Sequence, residues 1–269
     1  MTLPRKHWAD MTWPDFRAAN VTDWIAVLPI AATEQHGPHL PLSTDTDIMR
    51  GYLDLILAAL PGDLPATFLP VQTIGLSPEH RDFPGSLSLS PEAALRTWTD
   101  LGADIARTGI RKLVFVSSHG GNNALLDVVA RELRLRHHML AVTASFARFG
   151  YPDGLFSADE VAHGIHGGDV ETSLMLAFRP DLVRQDKIAD FPAETVRMEH
   201  DFDLLRATRP AAFGWLAQDL NPDGAIGDAS RASAEKGKSA SAFGTERFIA
   251  LLQDVTAFPL ERLRAGPLG

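Results

Sequence analysis

Four apolar stretches of strand length, at 24–30, 66–71, 112–117 and 139–145, alternate with segments whose apolar residues recur at helical spacing, at 47–60, 91–108 and 123–136. Strands separated by helices of that length cannot pair as hairpins. They read as βαβ units, and a chain built of them folds as an α/β protein whose mostly parallel sheet carries helices on both faces. The helix at 91–108 has the expected start and stop chemistry: Ser90 precedes Pro91 and Glu92, and Gly109 follows. A further helix is expected at 233–256, a long loop at 146–165, and no assignable fold over 186–221. No repeat and no internal boundary interrupts the pattern, so residues 1–269 read as a single domain.

In such an architecture ligands bind outside the carboxyl ends of the strands, and three of the chain's chemically loaded segments fall there. The first follows the 24–30 strand. Glu34 and His36 are two apart, so an extended backbone sends both to one side and Gln35 to the other. Asp45 comes back beside them after a turn rich in Gly and Pro. One Glu, one His and one Asp converging form a metal-ligand set, while a solvated turn with Asp45 capping the next helix accounts for the same residues. The second segment, Ser117 to Asn123, places His119 before Gly120 and Gly121 at the end of the 112–117 strand. His119 is a natural further ligand, and Asn122 reads as a helix N-cap. The third is His163 to Ser173, where His166, Gly167 and Gly168 precede Asp169 and Glu171. A capped helix explains the acids, which favour the positive end of its dipole.

Composition narrows the chemistry. The chain has no cysteine, which excludes disulfides, thiolate nucleophiles and Cys-type zinc sites and leaves ten His and the carboxylates as ligands. The formal charge of −9 argues against nucleic acid or an anionic membrane as a partner. No apolar leader or membrane-spanning stretch is evident, and the chain reads as cytoplasmic.

Together these motifs resemble the creatininase family of metal-dependent amidohydrolases. The residues that carry the resemblance are Glu34-x-His36-Gly37-x-His39 with Thr44-Asp45, then His119-Gly120-Gly121-Asn122, then His166-Gly167-Gly168 with Glu171-Thr172-Ser173. Ser77-x-Glu79-His80, Phe83-Pro84-Gly85, Gly224-x-x-Gly227-Asp228 and Ala234-Glu235-Lys236-Gly237 extend it along most of the chain. The resemblance implies two divalent ions, Zn²⁺ foremost with Mn²⁺ or Fe²⁺ as alternatives, held by Glu34, His36, Asp45, His119 and Glu171, with Asp45 bridging. It implies His166 as the proton-transfer group, joined by Glu171, in hydrolysis of a C–N amide bond of a small molecule, a cyclic amide or formamide, by metal-activated water. It also implies a homo-oligomer, hexameric or smaller.

The sequence departs from the family pattern twice. Creatininase proper carries a Glu at the position of Gly121, which makes Glu171 the remaining carboxylate ligand. Tryptophans are associated with its substrate between the second and third motifs, whereas the five here are Trp8, Trp13, Trp24, Trp98 and Trp215. Creatinine is therefore not the expected substrate. A non-amide substrate, sugar-like or a cyclic ketone, and metal binding without catalysis are the alternatives. Glu79 and His80 read as second contacts of the site or as packing, and Arg148, Phe149 and Tyr151 as an overhanging loop.

Overall fold

The computed structural model describes residues 3–18 and 20–267. Its centre is a four-stranded parallel sheet of β1 (Ile25–Ile30), β2 (Ala66–Phe68), β3 (Lys112–Ser117) and β4 (Leu140–Ser145), in the order β2-β1-β3-β4. The helices in chain order are α1 (Trp13–Ala18), α2 (Thr44–Ala59), α3 (Pro91–Arg107), α4 (Asn123–His137), α5 (Ala158–His163), α6 (Asp169–Phe178), α7 (Glu194–Asp201), α8 (Ala217–Leu220) and α9 (Ala234–Ala257). The α/β class expected from the alternation of patterns is what the chain adopts.

Every residue of β1 and β3 is buried, as strands covered on both faces must be. Alternate residues go to opposite sides. Ile25 and Val27 join Val114, Val116 and the buried faces of α2, α6 and α9, while Ala26, Leu28 and Ile30 join Leu113, Phe115, α3 and α4. On the second face Trp98 of α3 is completely buried. Truncating it removes one of the two fully buried tryptophans of that layer and leaves a cavity, so Trp98→Ala should cost about 3–5 kcal/mol. The denaturant midpoint measures this, and a loss under about 1 kcal/mol would contradict such a packing role.

The strand order reverses between β1 and β3, because the chain runs from β1 to β2 on one side and then crosses to β3 on the other. That switch point opens a crevice at the carboxyl ends of these two strands. Pro29 is accommodated in β1 although β1 is central. Its carbonyl accepts from Gln72 N at 2.9 Å, on the side where β2 has already ended, so no ladder partner misses its N–H.

Four stretches differ from the sequence expectation. β2 stops at Phe68 instead of reaching residue 71, since Pro70 cannot donate to a ladder. α2 begins at Thr44, which puts Asp45 inside its first turn. The stretch 146–165 contains a 3₁₀ turn, Phe146–Phe149, and α5, while α7 and α8 lie within 186–221. α3 starts as expected, with Ser90 Oγ accepting from Ala93 N at 3.2 Å. No helix among the described residues is long and apolar enough to cross a membrane.

Candidate metal centre

Beyond β1 the chain delivers Glu34 and His36 to the crevice, and neither is accessible to solvent. The first turn of α2 brings Asp45 beside them. Thr46 Oγ1 donates to Ala32 O at 3.2 Å and Ser118 Oγ donates to Asp45 O at 2.8 Å, fastening that turn to the ends of both β1 and β3. His119 follows β3 directly. Asn122 does not cap α4 as expected. Its amide donates to Ala31 O and Ser117 Oγ, each at 3.2 Å, and its carbonyl accepts from Leu76 N at 2.9 Å, so it staples three segments under the site.

Hydrogen bonds to the backbone select which imidazole nitrogen faces inward. His36 Nδ1 donates to Glu34 O at 3.1 Å, and the free Nε2 lies 3.7 Å from Asp45 Oδ1 and 3.7 Å from Glu171 Oε2. His119 Nε2 donates to Leu76 O at 3.0 Å, leaving Nδ1 at 3.1 Å from Glu34 Oε1 and 3.6 Å from Asp45 Oδ2. Three ligand groups result, Glu34–Asp45–His119, His36–Asp45–Glu171 and Glu34–His36–His166, with the donor atoms in each within 4.8 Å of one another. Asp45 is common to the first two.

The donor set fits divalent ions. Glu34 Oε1, His36 Nε2 and both Asp45 carboxylate oxygens are buried without a hydrogen-bond partner. Orphaned polar atoms of this kind cost free energy singly, and here they converge. Atoms each about 2.1 Å from a tetrahedral ion are separated by about 3.4 Å, which is close to the spacings above. All are nitrogen or oxygen donors, suited to Zn²⁺, Mn²⁺ or Fe²⁺. The reading of the first motif as a solvated turn fails on burial, and Asp45 accepts no capping bond.

Charge within the cluster is self-compensating. Burial disfavours the His36 cation, but Asp45, Glu171 and Glu34 raise its pKa to about 9. Burial likewise opposes a charged His119, and Glu34, Glu79 and Asp45 hold it well above the usual histidine range. Burial pushes the Glu34 carboxyl up, yet His119, His80 and His166 override this and hold it well below. Burial and then the charge of Glu34 push Asp45 up. Glu171 is raised to about 7 by burial, with Asp45 adding to it against His36. Two protonated imidazoles thus stand where cations fit.

Around the ligands lies a second layer, only part of which the sequence announced. His166 stacks between His36, at 4.0 Å between ring centroids, and His80, at 4.1 Å. Its Nε2 donates to Gln35 O at 2.5 Å, and Nδ1 lies 3.8 Å from Glu34 Oε1. Burial, together with His36 and His80, holds its pKa well below the usual value. His80 Nε2 is 3.4 Å from Glu34 Oε1, and Glu79 Oε1 is 3.4 Å from His119 Nε2, so both residues belong to the site. A side chain at Gly121 would collide with His119, Glu79 and the Leu76 carbonyl, so the carboxylates near His119 come from other positions. Sequence reasoning did not single out Ser77, whose hydroxyl donates to Glu34 Oε2, or Gln35, whose buried amide donates to His80 Nδ1 at 2.8 Å. His39, quoted only as part of a motif, donates from Nε2 to Gly167 O at 3.0 Å.

Glu171, unlike the other candidate ligands, keeps part of its side chain exposed. With His166 it lines a cavity of about 380 Å³ whose other walls include Tyr151, Phe156, Val161 and Ile165. Phe149 is not part of the expected overhang, since its ring packs against Phe146 and Phe248 in the core. Arg148 is exposed and does not line the cavity.

The family model described as creatininase, creatinine amidohydrolase, matches residues 9–252. The chain belongs to the creatininase family. A mycofactocin precursor peptide peptidase of Mycobacterium ulcerans (strain Agy99) is 30% identical over 263 residues, covering 96% of this chain and 89% of that protein. A creatinine amidohydrolase of Pseudomonas putida is 30% identical, covering 85% and 89% respectively. A 3-dehydro-scyllo-inosose hydrolase of Thermotoga maritima is 25% identical, covering 91% and 80%. Among solved structures, a Zn-Zn form of a mutant creatininase superposes with a TM-score of 0.73 at 26% identity, over 94% of this chain and 98% of that one. A manganese creatininase gives the same TM-score and identity, covering 94% and 99%. The creatininase relatives named here are hydrolases, and their structures occur in zinc and manganese forms.

Proposed function

We propose that this creatininase-family protein hydrolyses a C–N amide bond with two divalent ions, one held by Glu34, Asp45 and His119 and the other by His36, Asp45 and Glu171. The observation that carries the reading is the single carboxylate of Asp45, unpartnered on both oxygens, shared by two ligand groups that are buried except for part of Glu171 and lie beside a cavity. Divalent ions held by these residues, Zn²⁺ foremost, would supply polarisation of a substrate carbonyl and activation of water near neutral pH. His166 is set up as the proton carrier. Its Nε2–H is committed to Gln35 O, and its depressed pKa leaves Nδ1 unprotonated at pH 7. Nδ1 takes the proton that the attacking water releases and returns it to the leaving nitrogen, so water and amide become carboxylic acid and amine, which re-equilibrate to carboxylate and ammonium. Glu171, on the cavity wall beside His36, is the second group placed to share that traffic.

The cavity of about 380 Å³ is of the size that encloses a drug-sized ligand, which supports an amide with substantial groups on one or both sides. The peptide substrate in the name of the Mycobacterium ulcerans relative points the same way. The Thermotoga maritima relative supports a second reading, in which the same centre acts on a cyclic ketone. We assign the protein to a homo-oligomer in a cytoplasmic setting. The exposed Phe202, Leu204, Leu205 and Phe213 support an assembly, and the lack of cysteine suits that compartment.

The test is metal content by elemental mass spectrometry on protein purified without added metal, followed by Zn²⁺ titration at pH 6, 7 and 8. About two equivalents per chain are expected. In the metal-free protein His36 carries a proton up to about pH 9, so each ion must displace protons. Affinity therefore rises with pH across this range and protons are released into weak buffer. Protein that neither contains nor takes up a transition metal would sink the reading. Turnover of formamides and short peptide amides, set against cyclic ketones, then separates the two substrate classes.

A further inference from the structure

His166 lies on the turn before α6 and Glu171 in the first turn of that helix, whose start is capped by no side chain of the turn itself. Gly164, Gly167 and Gly168 offer no side chain, and α6 starts behind Gly168 with no capping oxygen on that residue. Helix starts leave N–H groups that need an acceptor, normally supplied by the N-cap side chain. Here the acceptor comes from another helix. Glu160 of α5 is buried, with Oε1 accepting from Val170 N at 3.1 Å and Oε2 from Asp228 N at 3.3 Å. Three glycines close around this carboxylate. A Cβ at Gly164 or Gly168 would collide with it, and one at Gly227 would come within 3.0 Å.

What Glu160 grips is connected directly to the site. Ile226, next to Gly227, pairs with His166 through N–H···O bonds of 2.6 and 3.2 Å. The turn before α6 sends Gly167 N to Glu171 Oε2 at 2.6 Å. Glu160 also forms part of the wall between the substrate cavity and a second cavity of about 290 Å³. By contrast, Glu34, Asp45 and His119 are held by β1, α2 and β3, and Glu160 hydrogen-bonds to none of those elements.

We propose that Glu160 is a positioning residue that caps α6 from outside and thereby holds Glu171 and His166 in place, so that its loss disables one half of the metal centre and spares the other. The proposal rests on the two-ion reading above. Its negative charge adds to the effect, because a carboxylate is favoured at a helix N-terminus.

The test compares wild type, Glu160→Ala and Glu160→Gln in two measurements: stepwise Zn²⁺ binding, and amide hydrogen exchange of segments 164–171 and 226–228 against 112–123. In Glu160→Ala one Zn²⁺ should bind as in wild type and the other at least about tenfold more weakly, the scale of losing a supporting contact to a metal ligand. Exchange should rise at 164–171 and 226–228 and stay unchanged at 112–123. Glu160→Gln keeps an acceptor for Val170 N and should recover most of the second ion. It also carries the test if the alanine variant does not fold. Equal weakening of both ions, or exchange raised throughout, would mean a merely structural residue and overturn the proposal. Two ions bound as in wild type would overturn it as well, whatever the exchange shows. If wild type binds no Zn²⁺, the metal reading falls by itself, and exchange decides the capping role: a rise confined to 164–171 and 226–228 sustains it, and no rise ends it.

Discussion

Asp45→Ala should release both ions together. Both proposed ion sites use one of its carboxylate oxygens, Oδ2 facing His119 and Oδ1 facing His36. Metal content is expected to fall from about two equivalents per chain to near none, and hydrolysis by ~10³-fold or more, since the loss removes several kcal/mol of carbonyl polarisation and water activation at ~1.4 kcal/mol per tenfold. The fold should persist. The carboxylate makes no hydrogen bond, and the Ser118 bond to Asp45 is to the backbone. Far-ultraviolet circular dichroism and elemental analysis of the same preparation measure both quantities. An alanine variant that retains even one ion at wild-type affinity would show that Asp45 does not bridge.

His166→Ala separates the proton carrier from the ligands. Its turnover should drop by ~10²–10⁴-fold while both ions remain, the scale of losing a general acid–base group. There is a competing geometry, because His166 also groups with Glu34 and His36 within ligand range of one another. Loss of an ion in His166→Ala would make it a ligand and end the proton-transfer assignment. Unchanged turnover would end it too.

How much of this was legible beforehand follows from how far apart in sequence the interacting groups lie. Glu34 and His36 could be read because both follow the apolar β1 run within a few residues, and strand periodicity alone aims them together. His119 was legible for the same reason, directly after β3. Asn122 misled, because its position before α4 matches an N-cap while its partners, Ala31 and Leu76, lie on segments that only tertiary packing brings near. His166 meets the carbonyl of Gln35 across 131 residues, a contact that no local pattern encodes. Glu160 was missed for a related reason. It looks like any acid in a short surface helix, and the glycines at 164, 168 and 227 that surround it hint at a crowded neighbour without naming it.

The walls of the substrate cavity all come from residues 147–171, one uninterrupted length of chain. The candidate ligands, Glu171 apart, come from elsewhere: the sheet ends and the start of α2. The cavity wall and most of the candidate ligands are thus written in separate passages of the sequence, which meet at His166 and Glu171. On the proposed function, changes within 147–171 would alter the cavity wall while Glu34, His36, Asp45 and His119 stand untouched, and relatives named for a peptide, creatinine and an inosose accord with such a division.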